Sequence, residues 1–359
     1  MAITKKIGKN GKVSWQARIW KGKKAVASKT FERQLDAKKW IRDFDRSLGP
    51  ETGVTVNELI EKFLDHTKTT KKYKTYYGYS KDFDKHFVPF FGDYVASSVT
   101  SESVRNYRKD LVRSGKSAKT INRLFGMFSS AFNFGIKLDL IEKNPIKGLG
   151  KLKVDRKKVE FWSVEECEVN LQKMSGWHYY DLVLTAILTG MRLSELSALQ
   201  RKDIDFNRNQ ISINKSVEKG EQNRFKLGRT KTDNSNRVIP MSETTCRVLR
   251  SRSKGLQNND LIFVSEQGGM IDVEHFTYRK FKPFQAKCKI DPQIKFHTLR
   301  DTYASNFVMN GGDIFTLQKL LGHSDIKHTQ IYAHLSPSYL QEAANVFSIN
   351  TLKLVEGGK

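Results

Sequence analysis

The hydrophobic period of this chain changes twice, each time at a stretch suited to a linker: "LGPETG" at residues 48–53 and the charged "KGLGKLKVDRKKVEF" at 147–161. Before the first break, short runs alternate as strands do. Between the breaks, apolar residues recur at helical spacing, and after the second both patterns mix. A chain that switches period in this way must build separate cores, and 359 residues are more than one ordinary core holds.

The first segment alternates around Trp15, Ile19 and Trp20 across the turn-like "KGKK", which predicts two or three antiparallel strands. Phe31, Leu35, Trp40, Ile41 and Phe44 then take helical spacing. Residues 1–50 carry 14 lysines and arginines against 4 acids. A solvated face would explain some of this charge, but its density favours a nucleic-acid module.

The second segment reads as all helical up to about Gly148: "VTVNELIEKFLDHTK", "YKTYYGYSKDFDKHFVPFFG", "TSESVRNYRKDLVRSG" and "SAKTINRLFGMFSSAFNFGIKLDLI". Thr100 or Ser101 and Ser117 are the expected N-caps, and Gly92, Gly115 and "KNP" at 143–145 the expected stops. Tyr76 and Tyr77, set among lysines, suit either phosphate and sugar contacts or ordinary helix packing. The third segment mixes predicted helices ("SVEECEVNLQKM", "YYDLVLTAILTG") with predicted strands ("NQISINKSV", "NRVIPMS", "LIFVS") and ends helical.

Charge bounds the partners. The chain has 63 basic and 38 acidic residues, a formal net charge of +25. Such an excess favours a polyanion, because each phosphate contact releases counterions. No apolar run approaches the ~20 residues of a spanning helix, and "MAITKKIGKNGK" has no signal-peptide core, so the expected location is cytoplasmic, with no membrane partner. Cys167, Cys246 and Cys288 are too scattered for a disulfide framework and read as buried thiols.

Chemistry concentrates in the third segment. In "LTGMRLSELSAL", Arg192 follows an apolar helix and Glu195 lies three residues on, so the carboxylate can hold the guanidinium; alone, the pair reads first as a structural salt bridge. "FKLGRTKTDNSNRVIP" reads as a hairpin with Lys231 near its tip. "IKFHTLRDTYASNFV" sets His297 and Arg300 one helical turn apart, on one face. In "LLGHSDIKHTQIYAH", a helix stops at Gly322, His323 lies in the turn, and Tyr332 follows one short helix later. His323, His328 and His334 have neither metal-ligand spacing nor accompanying cysteines or acids, so no metal and no cofactor are expected. Two arginines, a lysine and two histidines suit a phosphodiester that gains charge in its transition state, and a tyrosine can attack it. With an ordinary pKa near ~10, that tyrosine needs positive surroundings or a base.

Arg192 in "TGMRLSEL", Lys231, "HTLR" at 297–300, "LGH" at 321–323 and Tyr332 in "IYAH" follow in the order of the tyrosine recombinase, or phage integrase, family, which this chain resembles. Five ordered matches over roughly 160–340 make the resemblance specific; the two preceding domains resemble it more weakly. It implies a multidomain, mainly α fold with small β-sheets. Residues 1–50 would be a three-stranded sheet plus helix that binds arm sites, and 54–148 a helical, SAM-like core-binding domain. Residues 149–159 would be a basic linker, 160–340 an α+β catalytic domain and 341–359 a tail.

The resemblance also implies roles. Tyr332 would attack to leave a 3′-phosphotyrosyl link, Arg192 and Arg300 would clamp the non-bridging oxygens, and His323 would donate to one of them. Lys231 would protonate the leaving 5′ oxygen, with Lys226 and Arg229 as rivals, and His297 would serve the tyrosine as acid or base. Glu195 would support Arg192 from behind. The implied activity is integration and excision of a mobile element or prophage at double-stranded DNA attachment sites by a homotetramer, with accessory DNA-bending proteins and an excisionase as further partners. A dimer resolvase or type IB topoisomerase of the same chemistry, or a regulator that binds DNA without cutting it, are the alternatives. The family often has histidine after the second arginine; here it is Asp301. An amphipathic tail helix bearing Leu340, Ala343, Ala344 and Phe347 suits packing on its own domain or docking on a neighbouring subunit, and the resemblance favours the neighbour.

Overall fold

The computed structural model describes residues 2–7, 13–21, 24–46, 53–154, 159–220, 225–229 and 236–336. The chain divides into two compact units, Met1–Arg156 and Lys157–Lys359.

In the first unit β1 (Ala2–Ile7), β2 (Val13–Lys21) and β3 (Lys24–Phe31) form an antiparallel sheet in that order. Helix α1 (Gln34–Arg46) packs on it through the fully buried Ala17 and Ala37, with the Phe31 and Trp40 rings 5.8 Å apart. Leu35, expected on the buried face, is exposed because Phe31 ends a strand and the helix starts only at Gln34.

Five helices follow: α2 (Val56–Thr70), α3 (Tyr73–His86), α4 (Val88–Phe91), α5 (Ser101–Arg113) and α6 (Ala118–Lys137). Thr55, Thr100 and Ser117 cap α2, α5 and α6 with their side-chain oxygens. The core is aromatic: Phe83, Phe87, Phe91, Phe128 and Phe132 are wholly buried, and Phe87 stacks on Phe128 at 4.1 Å. Helix α6 stops at Lys137, short of "KNP", and Asp139 turns the chain at φ +55°. Tyr77 stays outside this core, exposed, with Tyr73 stacked on it and the Lys81 ammonium 5.0 Å from its ring.

The second unit runs α7 (Val164–Lys173), α8 (Tyr180–Thr189), α9 (Leu193–Leu196), β4 (Ile204–Asp205), β5 (Gln210–Ile213), β6 (Lys215–Lys219), β7 (Phe225–Arg229), β8 (Arg237–Pro240) and α10 (Glu243–Arg252). A π-helical turn, Thr277–Phe281, leads into α11 (Lys282–Lys287). Then come α12 (Thr298–Met309), α13 (Ile314–Leu321) and two 3-10 turns, Ile326–His328 and Gln330–Leu335. Helix α8 is apolar nearly all round and buried, and α12 packs against it. Ala304, Val308, Leu317 and Leu321 join the Tyr332 ring in a smaller core of the carboxyl-terminal helices.

Three strand readings are corrected. "NQISINKSV" is two strands in different sheets: β5 lies between β4 and β8, whereas β6 pairs with β7. "LIFVS" forms no strand: Leu261 bridges Gln200 alone, while Ile262 and Phe263 are buried as irregular chain, a distinction that apolar character does not make. The flanks of "FKLGRTKTDNSNRVIP" are not hairpin partners, since Val217 faces Leu227 and Ile211 faces Ile239. Lys231 and the tail helix at 340–347 lie outside the described residues. Of the three thiols expected to be buried, Cys167 is, while Cys246 and Cys288 are half-buried. Among the described residues no helix is long and apolar enough to cross a membrane.

Candidate active site

Helix α8 ends at Gly190, which adopts the left-handed φ of +63°. Two residues later Arg192 occupies the cap position of α9, in extended backbone. Glu195 fixes it twice, accepting from the Arg192 backbone N–H at 2.9 Å and from Nη1 at 2.7 Å. The other side of the carboxylate is gripped by Arg237 at the start of β8, with Nη1 to Oε1 at 3.0 Å and Nη2 to Oε2 at 2.8 Å. Arg237 Nε also donates to the Leu320 carbonyl at 2.7 Å, tying β8 to α13. Burial would raise the Glu195 carboxyl, but Arg237 and then Arg192 hold it down at about 2. It is therefore an anion that consumes one edge of Arg192 and leaves the remaining donors of this half-exposed guanidinium for another acceptor.

Arg300 projects from the first turn of α12 and is only 3 % exposed. Nη1 donates to the Gly190 carbonyl at 2.8 Å and Nη2 to the Leu321 carbonyl at 2.6 Å. Each bond reaches the end of a neighbouring helix, so α8, α12 and α13 fix the guanidinium together. Burial and then the nearby Arg192 push it down to about 9, still charged at neutral pH. Two cations held this close repel each other, and an anion between them would relieve that repulsion.

Gly322 stops α13 in the left-handed region at φ +65°, and His323 follows. Its Nδ1 lies 2.9 Å from Oγ1 of the buried Thr329. Burial and then Arg300, Arg192, His328 and Arg237 lower its pKa to about 3, so the ring is neutral. If the Thr329 hydroxyl donates to Nδ1, the tautomer carries its hydrogen on Nε2, free to donate elsewhere.

Tyr332, in the last 3-10 turn, is 2 % exposed, and its hydroxyl donates to Asp301 Oδ1 at 2.5 Å. Burial raises its pKa, the Asp301 charge and hydrogen bond raise it further, and Arg300 offsets this only in part. The positive surroundings expected to acidify the phenol are thus outweighed at its own oxygen. His297 stands exposed at the cap of α12, four residues before Asp301, rather than within the helix.

Comparison with known proteins bears on this arrangement. Residues 164–338 match the phage integrase family, and residues 55–112 match the phage integrase N-terminal SAM-like domain. The two matches together span more than half of the chain. The chain belongs to the phage integrase family of tyrosine recombinases. It is similar to the ICEBs1 integrase of Bacillus subtilis (strain 168), 25 % identical over 81 % of this chain and 82 % of that one. Tyrosine recombinase XerD of Halalkalibacterium halodurans is 26 % identical over 80 % of this chain and 96 % of that one. In fold it resembles the Tn1549 transposon integrase, solved in complex with a circular intermediate DNA, with a TM-score of 0.72 at 21 % identity, over 82 % of this chain and all of the other.

This recombinase brings Arg192, Glu195, Arg300, His323 and Tyr332 together in one unit. Lys231 falls outside the described residues; of its rivals, Lys226 is exposed on β7, opposite Glu218. His328 and His334 are exposed, although the His328 ring sits 5.8 Å from that of His323. Sequence reasoning missed Arg237, Thr329 and the role of Asp301. Arg237 lies 42 positions from Glu195 and had no local signal. Asp301 did have one, as the residue that departs from the family pattern.

Proposed function

We propose that this integrase cuts and rejoins double-stranded attachment-site DNA through Tyr332. The observation that carries the reading is the convergence of the Tyr332 phenol with two helix-anchored arginines and the neutral His323. Arg192 and Arg300 hold the non-bridging oxygens of the scissile phosphate, and His323 donates to one of them through Nε2. Donors fixed in advance by Glu195, Gly190 and Leu321 need no reorganisation as charge develops. Tyr332 attacks phosphorus to form a 3′-phosphotyrosyl link, Lys231 gives a proton to the leaving 5′ oxygen, and His297 assists at the tyrosine. The link conserves the energy of the broken bond, so rejoining needs no nucleotide.

Exchange between two duplexes cuts four strands, and with one nucleophilic tyrosine per chain this calls for four protomers. Residues 1–50 form the arm-site module, 54–148 the core-binding domain, 149–159 a basic linker, 160–340 the catalytic domain and 341–359 an assembly tail. The sheet module lies ahead of the SAM-like match, which supports integration over dimer resolution. Accessory bending proteins and an excisionase set direction, and the enzyme works in the cytoplasm on the nucleoid. The test is a nicked duplex bearing junction DNA from the ends of the surrounding element. Wild-type protein should accumulate on the 3′ end of the cut strand, leaving a free 5′-hydroxyl; attachment to a 5′ end would overturn the reading.

A further inference from the structure

We infer that Asp301 is the base that takes the phenolic proton from Tyr332 as the strand is cut. This rests on the assignment of Tyr332 as nucleophile. The Tyr332 hydroxyl donates to Asp301 Oδ1 at 2.5 Å, across 31 residues of sequence, so the acceptor is already in contact with the reacting oxygen. The two carboxylates of the site are held differently. Glu195 is locked between Arg192 and Arg237, which leaves it a poor base. Asp301 is half-buried and sits raised above the usual carboxylate range, by burial first, with Tyr332, His297 and Arg300 pulling the other way. A carboxylate so placed accepts a proton more readily than an ordinary one.

The step balances. The Oη–H bond breaks and its proton passes to Oδ1; the Oη–P bond forms while the P–O5′ bond breaks, and the 5′ oxygen keeps that electron pair and is protonated from the opposite side. In rejoining, the 5′-hydroxyl attacks phosphorus and gives its proton back to the acid that supplied it, the P–O5′ bond forms as the Oη–P bond breaks, and Asp301 returns its proton to the phenolate. Asp301 thus touches the reacting atom in both directions, whereas His297, its pKa lowered by burial, stands one turn away at the helix cap.

The test uses full-length protein and the nicked junction duplex in two forms, one ordinary and one with sulfur in place of the bridging 5′ oxygen. A thiolate leaves without a proton, so the sulfur duplex bypasses any acid on the leaving group but still needs a base on the tyrosine. Asp301→Asn, which keeps shape and an acceptor oxygen, should slow single-turnover adduct formation by about 100-fold or more on both duplexes with DNA affinity unchanged. Asp301→Glu should recover part of the rate, and formate should restore activity to Asp301→Ala. Asn cleaving at the wild-type rate or faster would overturn the inference and leave the carboxylate as a parking contact. A defect that vanishes on the sulfur duplex would also overturn it, by moving Asp301 to the leaving group. Should Asp301→Asn melt well below wild type, the formate result on the Ala variant decides. Failure of wild-type protein to form any 3′ adduct on either duplex would instead strike the assignment of Tyr332.

Discussion

Between Arg192 and Arg237 one buried carboxylate does what neither arginine could do alone. Glu195 orients Arg192 from its own helical turn and borrows rigidity from β8 through Arg237, whose side chain is 5 % exposed. Removing Arg237 would leave the buried Glu195 with a single partner, so Arg237→Ala should cost about 3 kcal/mol in the second unit and slow cleavage. Urea unfolding and a single-turnover assay check both, and an unchanged midpoint would contradict the clamp. The same groups set an acid limit. A histidine whose folded pKa is lowered binds its proton less readily than in the unfolded chain. The stability linked to His323 is therefore complete above about pH 6.5 and is lost as pH falls toward 3. Glu195 acts in the same direction lower down, its contribution present above the ordinary carboxylate range and lost as pH falls toward 2. Denaturant midpoints measured downward from neutral pH should fall through this window, and His323→Gln should flatten the upper part. At this scale the sequence showed the Arg192 and Glu195 pair, three residues apart, but not Arg237, because a contact across 42 positions leaves no periodic trace.

Helix ends, more than helix middles, build this site. The α8 terminus supplies the Gly190 carbonyl, the α13 terminus the Leu321 carbonyl, and α12 carries Arg300 between them. A Cβ at Gly190 would stand 2.6 Å from Tyr303 Cδ1 and 2.9 Å from Leu321 Cδ2, on a backbone already at positive φ. Gly190→Ala should therefore destabilise by about 1–3 kcal/mol and, by displacing the carbonyl that holds Arg300, reduce cleavage beyond what lost folding explains. Thermal melting and adduct yield at a temperature where both proteins are folded separate the two effects. Elements were legible where local chemistry marks them: Thr100 and Ser117 cap helices, and Gly322 ends one. Strand partners were not, since β5 and β6 are neighbours in sequence yet belong to different sheets. Nor did the apolar 261–265 segment reveal that it packs without pairing along its length.

For the whole molecule, charge was the most legible feature, because composition needs no knowledge of contacts. A formal net charge of +25 predicts DNA affinity that falls steeply with salt, by roughly 0.9 log units per phosphate contacted for each log unit of salt. Titration of a core-site duplex between low and physiological salt should give a straight double-logarithmic plot, and a flat response would contradict a phosphate-dominated interface. What sequence could not supply was the state of Tyr332, the proposed nucleophile, which is buried and bonded to a carboxylate instead of lying open among cations. In the proposed function this hydroxyl nevertheless attacks DNA. The most direct measurement compares wild type with Tyr332→Phe on the nicked junction duplex, resolved on a denaturing gel. A covalent protein–DNA band is expected from wild type alone, with nearly equal DNA affinity, since only one hydroxyl is lost. An equal band from Tyr332→Phe would contradict it and assign the attack to another residue.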